Sequence, residues 1–122
     1  MNTAIIDFPS IFTKEQIDYI GLNVVESARE VCGDKLCDVT LYGSYARGDF
    51  DEWSDVDIMV LVDADDTECK QVNKDINDKL YDLIFHMNLL LSVMVVPHDR
   101  FYRMKNNYPF YSNVSKEGVR LC

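Results

Sequence analysis

Two aspartates, Asp55 and Asp57, stand one residue apart at the head of the apolar run Ile58-Met59-Val60-Leu61-Val62. Aspartate is a poor strand former, so a strand that opens on two of them needs a reason. Side chains alternate faces along a strand. Asp55 and Asp57 therefore point one way, and Val56, Ile58 and Val60 point the other, into a core. Neighbouring carboxylates repel unless a cation sits between them. A hard divalent ion such as Mg²⁺, which takes oxygen ligands and keeps waters and substrate phosphates as partners, suits such a pair. An acidic pair beside a turn is by itself ordinary turn chemistry, but here it has company. Gly43-Ser44 closes the preceding apolar stretch. A glycine there lets the backbone approach a ligand closely, and the following amides with the Ser44 hydroxyl can donate to phosphate oxygens where a helix begins. Arg47, in the same loop, offers a fork of donors to a phosphate. The combination points to metal-assisted phosphoryl transfer.

These residues need elements to position them. Residues 13–32 read as a helix: Thr13 and Gln16 form a capping box, and Ile17, Ile20, Val24, Ala28 and Val31 make one apolar stripe before Gly33-Asp34 stops it. Residues 36–42 read as a strand. Residues 43–53, rich in glycine and charge, form a turn region with room for a short helix, and 54–63 form the second strand. Thr67 is the expected cap of a second long helix with Cys69, Val72, Ile76, Leu80, Leu83 and Met87 as its stripe. Residues 89–96, "LLLSVMVV", read as a third strand, apolar on both faces and so placed in the interior of the sheet, with Pro97 ending it. A short helix over Asp99–Lys105, a tail helix ending near Gly118, and a last extended piece, Val119–Cys122, complete the chain. The order predicts an α/β (α+β) fold, a small mixed β-sheet covered by helices, in a single domain over residues 1–122.

The composition bounds the function. At 122 residues, 48% hydrophobic and 27% charged, the chain can bury one modest core. Its net charge of −9, from 21 acidic against 12 basic residues, comes without a Lys/Arg cluster, which argues against direct nucleic-acid binding and against anionic membranes. An anionic small molecule would need cations or local donors to offset that field. Cys32, Cys37, Cys69 and Cys122 match no zinc or C-x-x-C spacing and read as reduced thiols. His86 and His98 have no partner at metal spacing and read as structural or surface residues. Trp53 reads as a packing residue. The N-terminal "MNTAIIDFPSIF" lacks the basic and apolar regions of a signal peptide, and "LLLSVMVV" is too short to span a bilayer. The expectation is a soluble, cytoplasmic protein.

The segment "GSYARGDFDEWSDVDIMV" resembles the G-S-x(10)-D-x-D signature of the DNA polymerase β-like nucleotidyltransferase superfamily, in the form of its minimal nucleotidyltransferases (MNT), and the resemblance covers most of the chain. It implies the polymerase β-like nucleotidyltransferase fold. It also implies transfer of a nucleoside monophosphate, AMP from ATP in the first instance, to an acceptor hydroxyl with release of pyrophosphate. Gly43, Ser44 and Arg47 would bind the nucleotide; Asp55 and Asp57 would be the catalytic pair and ligate Mg²⁺. Minimal members are often antitoxins encoded beside a helical HEPN ribonuclease toxin, which some neutralise by adding AMP. The resemblance therefore implies a HEPN-type toxin as partner.

One departure stands out. The superfamily usually places a third carboxylate on a later strand, and "LLLSVMVV" has only Ser92 as a polar residue. Asp82 and Asp99 lie outside that strand, and Asp49, Asp51 and Glu52 read as solvated loop residues. Two alternatives to the protein-modifying enzyme follow. One is a catalytically silent module that neutralises its partner by contact; the other is a small-molecule nucleotidyltransferase, for which the chain has no obvious acceptor domain.

Overall fold

The computed structural model describes residues 11–122. Helix α1, Lys14–Cys32, starts as its sequence demands: Thr13 Oγ1 accepts from the Gln16 N–H at 3.1 Å, and the Thr13 N–H donates to Gln16 Oε1 at 2.8 Å. It ends on Gly33, at φ 56°. A short 3₁₀ turn leads into β1, Leu36–Tyr42, followed by the one-turn helix α2, Ser44–Arg47, and strand β2, Val56–Val62. Helix α3, Asp66–Met87, connects to β3, Leu91–Pro97; α4, His98–Met104, α5, Pro109–Glu117, and the two-residue strand β4, Val119–Arg120, complete the chain.

The four strands form one mixed sheet in the order β3-β2-β1-β4. β1 runs antiparallel to both β2 and β4, while β2 and β3 are parallel. Strand β2 is buried on both faces. Val56, Ile58, Val60 and Val62 join Ile20, Val24, Ala28, Ile76 and Leu80 of α1 and α3 in the main core. Met59 and Leu61 point to the other face, where Phe101 of α4 and Val114 of α5 cover them. By alternation Asp57 belongs to this second face, at the end of the strand.

Four expectations are corrected. The third strand is an edge strand rather than an interior one: its apolar character comes from helices packed on the sheet, with Leu91, Val93 and Val95 against the main core and Val96 in the smaller cluster. On that edge, Asn73 Nδ2 donates to the Val93 carbonyl at 2.8 Å. Asp65, not Thr67, caps α3, its carboxylate accepting from the Glu68 N–H at 2.8 Å; a carboxylate at the cap satisfies an orphan amide and suits the helix start. The second strand begins at Val56, so Asp55 lies just outside it. Trp53 is 68% exposed and packs little, because its loop is held by Asp51, which accepts from the Trp53 N–H and the Ser54 hydroxyl. The expected N-terminal features fall mainly on residues 1–10, outside the described residues. Among the described residues no helix is long and apolar enough to cross a membrane.

Candidate active site

The loop between β1 and β2 is held by contacts written in its residues. Gly43 takes φ 75° at the end of β1, a region that strains side chains other than glycine. Its carbonyl accepts from the Ala46 and Arg47 amides, both at 3.1 Å, which closes the single turn of α2. Tyr45 anchors that turn: it is buried, stacks on Phe50 at 4.4 Å, and its hydroxyl accepts from the Phe12 N–H at 3.3 Å. Gly48, at φ 88°, ends the turn. The Ser44 amide and hydroxyl are left at the start of the turn, where a helix has no internal partners for its first donors.

Across the sheet, Tyr42 pairs with Asp57 in the β1–β2 register, so the glycine turn and the aspartate meet. A Cβ on Gly43 would overlap Asp57 Oδ2 and lie 3.2 Å from its Cγ. Burial, then the neighbouring Asp55 carboxylate, push the Asp57 carboxyl above its usual range, and Arg47 pulls the other way. Burial and Asp57 together push the Tyr42 hydroxyl up to about 12. Asp55 is exposed at the mouth. The Asp57 carboxyl therefore gives up its proton less readily than a free one.

A cavity of about 330 Å³ opens here, with Gly43, Ser44, Arg47 and Asp57 on one side. The opposite wall is α5, through Phe110, Asn113, Val114 and Glu117. Arg47 Nε donates to Asp49 at 3.1 Å, and its Nη1 lies 3.6 Å from Glu117 Oε1. Sequence reasoning missed the α5 wall. Its residues recur at helical spacing behind Pro109, but only the pairing of β4 with β1 brings that face to the loop. A more enclosed cavity of similar volume, about 330 Å³, is lined by Phe12, Ile17, Leu41, Tyr45, Phe50 and Ile58. It is apolar, and its charged residues, Lys14 and Asp18, pair with each other at 3.0 Å, so it offers no comparable chemistry.

Of the five expected site residues, the cavity joins four: Gly43, Ser44, Arg47 and Asp57. Asp55 stands beside Asp57 outside the lining. No group of three or more His, Cys, Asp or Glu side chains that could hold a metal occurs among the described residues. Two oxygen donors are nonetheless a fitting protein share for Mg²⁺, which is commonly held by one or two carboxylates plus substrate phosphates and water; the mutual repulsion at Asp57 is what such an ion would relieve. On the other side of Asp57 the parallel register places Ser92 of β3. Asp82 and Asp99 lie in α3 and α4, Asp49 is engaged by Arg47, and Asp51 holds the loop. His86 and His98 are bound locally, to the Asp82 carbonyl at 2.7 Å and to Asp99 at 3.2 Å.

A mixed sheet with a glycine-serine turn facing Asp57 is the arrangement expected of a nucleotidyltransferase domain, and the chain belongs to the nucleotidyltransferase domain family, which matches residues 25–121. A Methanocaldococcus jannaschii protein, provisionally named a protein adenylyltransferase, is 34% identical over 83 residues, covering 66% of this chain and 72% of that protein. A second from the same organism, named alike, is 69% identical over 29 residues, covering 24% of this chain and 29% of that protein. Among solved structures, a toxin–antitoxin crystal structure with AMP-PNP aligns over 84% of this chain and 72% of that chain, with a TM-score of 0.52 and 18% identity. That likeness speaks for the fold.

Proposed function

We propose that this nucleotidyltransferase is Mg²⁺-dependent and transfers AMP from ATP to a hydroxyl of a partner protein, a HEPN-type toxin for which it serves as antitoxin. The observation that carries the reading is the fit of the Asp57 carboxylate into the space left by the missing side chain of Gly43. It puts a phosphate-accepting turn and a cation-seeking carboxylate in one cavity. The names of the Methanocaldococcus jannaschii relatives support adenylylation of protein, and the toxin–antitoxin structure with AMP-PNP supports the partner class.

In this reading the Ser44 hydroxyl and amide donate to phosphate oxygens, and Arg47 exchanges a carboxylate partner for a phosphate. Asp55 and Asp57 hold the cation, which when bound supplies charge neutralisation between the carboxylates and the triphosphate. The acceptor hydroxyl forms a new bond to the α-phosphorus. The bond from that phosphorus to the β-bridging oxygen breaks, pyrophosphate departs, and the hydroxyl proton is lost to solvent.

Ser92 beside Asp57 favours a second reading, a silent module that blocks its partner by contact. Incubation of the toxin with catalytic amounts of the protein, ATP and Mg²⁺, followed by intact-mass measurement, separates the two. Enzyme action adds one or more AMP masses to the toxin and disappears in the Asp55→Asn, Asp57→Asn double variant. Neutralisation that needs one equivalent and ignores both ATP and the substitutions sinks the catalytic reading.

A further inference from the structure

We propose that the Phe110–Asn113 face of α5 is the nucleobase subsite, with Phe110 stacking on the ring and Asn113 pairing with the edge of adenine. The inference rests on the nucleotide-binding reading above and extends it to the choice of nucleotide.

The two walls of the cavity differ in chemistry. The loop wall carries Ser44, Arg47 and the aspartate, which are groups for phosphates and their cation. The α5 wall carries an aromatic ring, an aliphatic side chain and a neutral amide, with Glu117 drawn toward Arg47. A wall whose one charge is negative is unsuited to a triphosphate, but an aromatic face beside a paired donor and acceptor suits a base. Phe110 is 43% exposed although apolar. It is held edge-on by Tyr42 at 5.8 Å and packs against Tyr111 at 5.4 Å, so it is positioned without being covered. Asn113 follows one helical turn later, on the same side, and is exposed. The cavity volume, about 330 Å³, falls within the range of small-molecule sites.

The amide of Asn113 presents one donor group and one acceptor. That pattern matches the N7 acceptor and N6 donor of adenine in two hydrogen bonds, whereas the same edge of guanine presents two acceptors. The expected preference is therefore ATP over GTP.

Calorimetric titration of the whole protein with AMP-PNP, GMP-PNP and inorganic tripolyphosphate, each with Mg²⁺, tests this. The parent should favour AMP-PNP over GMP-PNP by roughly five- to a hundredfold, the discrimination of a good two-bond pair. Asn113→Ala should bring that ratio close to one. Asn113→Arg, whose fork matches two acceptors, should shift it toward guanine, which a merely structural role for Asn113 would not do. Phe110→Ala should weaken both nucleotide analogues by roughly five- to a hundredfold, the worth of one stacked base. Tripolyphosphate should bind the Asn113→Ala and Phe110→Ala variants like the parent. An unchanged AMP-PNP to GMP-PNP ratio in both Asn113 variants, or parent-like AMP-PNP binding in Phe110→Ala, overturns the subsite while leaving the phosphate site standing. Tripolyphosphate binding that ignores the Asp55→Asn, Asp57→Asn double variant overturns the nucleotide-binding reading itself, and the subsite with it.

Discussion

The Asp57 carboxylate occupies the volume that a side chain on Gly43 would need. Backbone strain and direct overlap therefore act together at one position. Gly43→Ala is expected to destabilise the fold by about 1–3 kcal/mol, from the cost of a left-handed conformation and the displaced carboxylate. It should weaken Mg²⁺–triphosphate binding more than that alone implies, because the carboxylate that moves is the proposed ligand of the cation. Urea denaturation and nucleotide titration of the same variant check both. A variant that keeps the parent's stability and affinity would show that the turn does not set the site.

Asp57 makes the metal-free fold pH-sensitive. Its folded pKa is raised by burial and by Asp55, so the unfolded chain ionises more readily. The Asp57 contribution is fully present below the ordinary carboxylate value of 3.8 and is lost as pH rises through the folded value. In the absence of divalent metal, Asp57→Asn should raise the melting temperature at pH 7 relative to the parent. The gain should vanish below pH 3.8. Saturating Mg²⁺ should stabilise the parent and not the variant.

In the proposed reading, Glu117 competes with phosphate for Arg47. The pair is open, with both side chains 40% exposed and 3.6 Å between them, so solvent screening leaves it little weight in stability. Glu117→Gln should leave stability unchanged and tighten triphosphate binding, by no more than about fivefold. Weaker binding in a titration would instead make Glu117 a ligand contact.

Gly118 fixes where α5 stands. A Cβ there would lie 2.5 Å from Thr40 Cγ2 and 2.6 Å from the Val114 carbonyl oxygen. Since that backbone cannot yield cheaply, Gly118→Ala should cost about 1–3 kcal/mol and should weaken nucleotide binding by displacing the Phe110 wall. Thermal melts with and without AMP-PNP measure both effects.

Ser92 neighbours Asp57 in register. Ser92→Asp should lower the metal-free melting temperature, by adding a carboxylate beside a pair that already repels, and should raise Mn²⁺ affinity in a metal titration. An unaltered metal affinity would mean that β3 does not border the cation site.

Local rules in the sequence foretold α1 closely. Thr13 and Gln16 formed their box, and Ile20, Val24 and Ala28 are fully buried, because capping and helical period depend on near neighbours alone. The third strand shows where such rules stop. An apolar strand with helices packed on it reads like one buried between strands, so its place at the edge, with Met94 exposed, was not legible in "LLLSVMVV". Trp53 likewise looked like a packing residue because hydrophobicity favours burial, whereas the turn built by Asp51 leaves it outside.

The sequence by itself put the candidate groups of the loop side close together: a glycine turn with Ser44 and Arg47, then Asp55 and Asp57, all within one contiguous segment. It also determined the mixed, helix-covered architecture, through the period of its apolar residues. The tertiary structure decided the rest. The β1–β2 register placed Asp57 against Gly43, the β2–β3 register set Ser92 beside it, and the β4 pairing carried α5 across to close the cavity. These are contacts between residues far apart in the chain, fixed by hydrogen-bond register and packing rather than by any local preference, and so no single stretch of sequence spells them out.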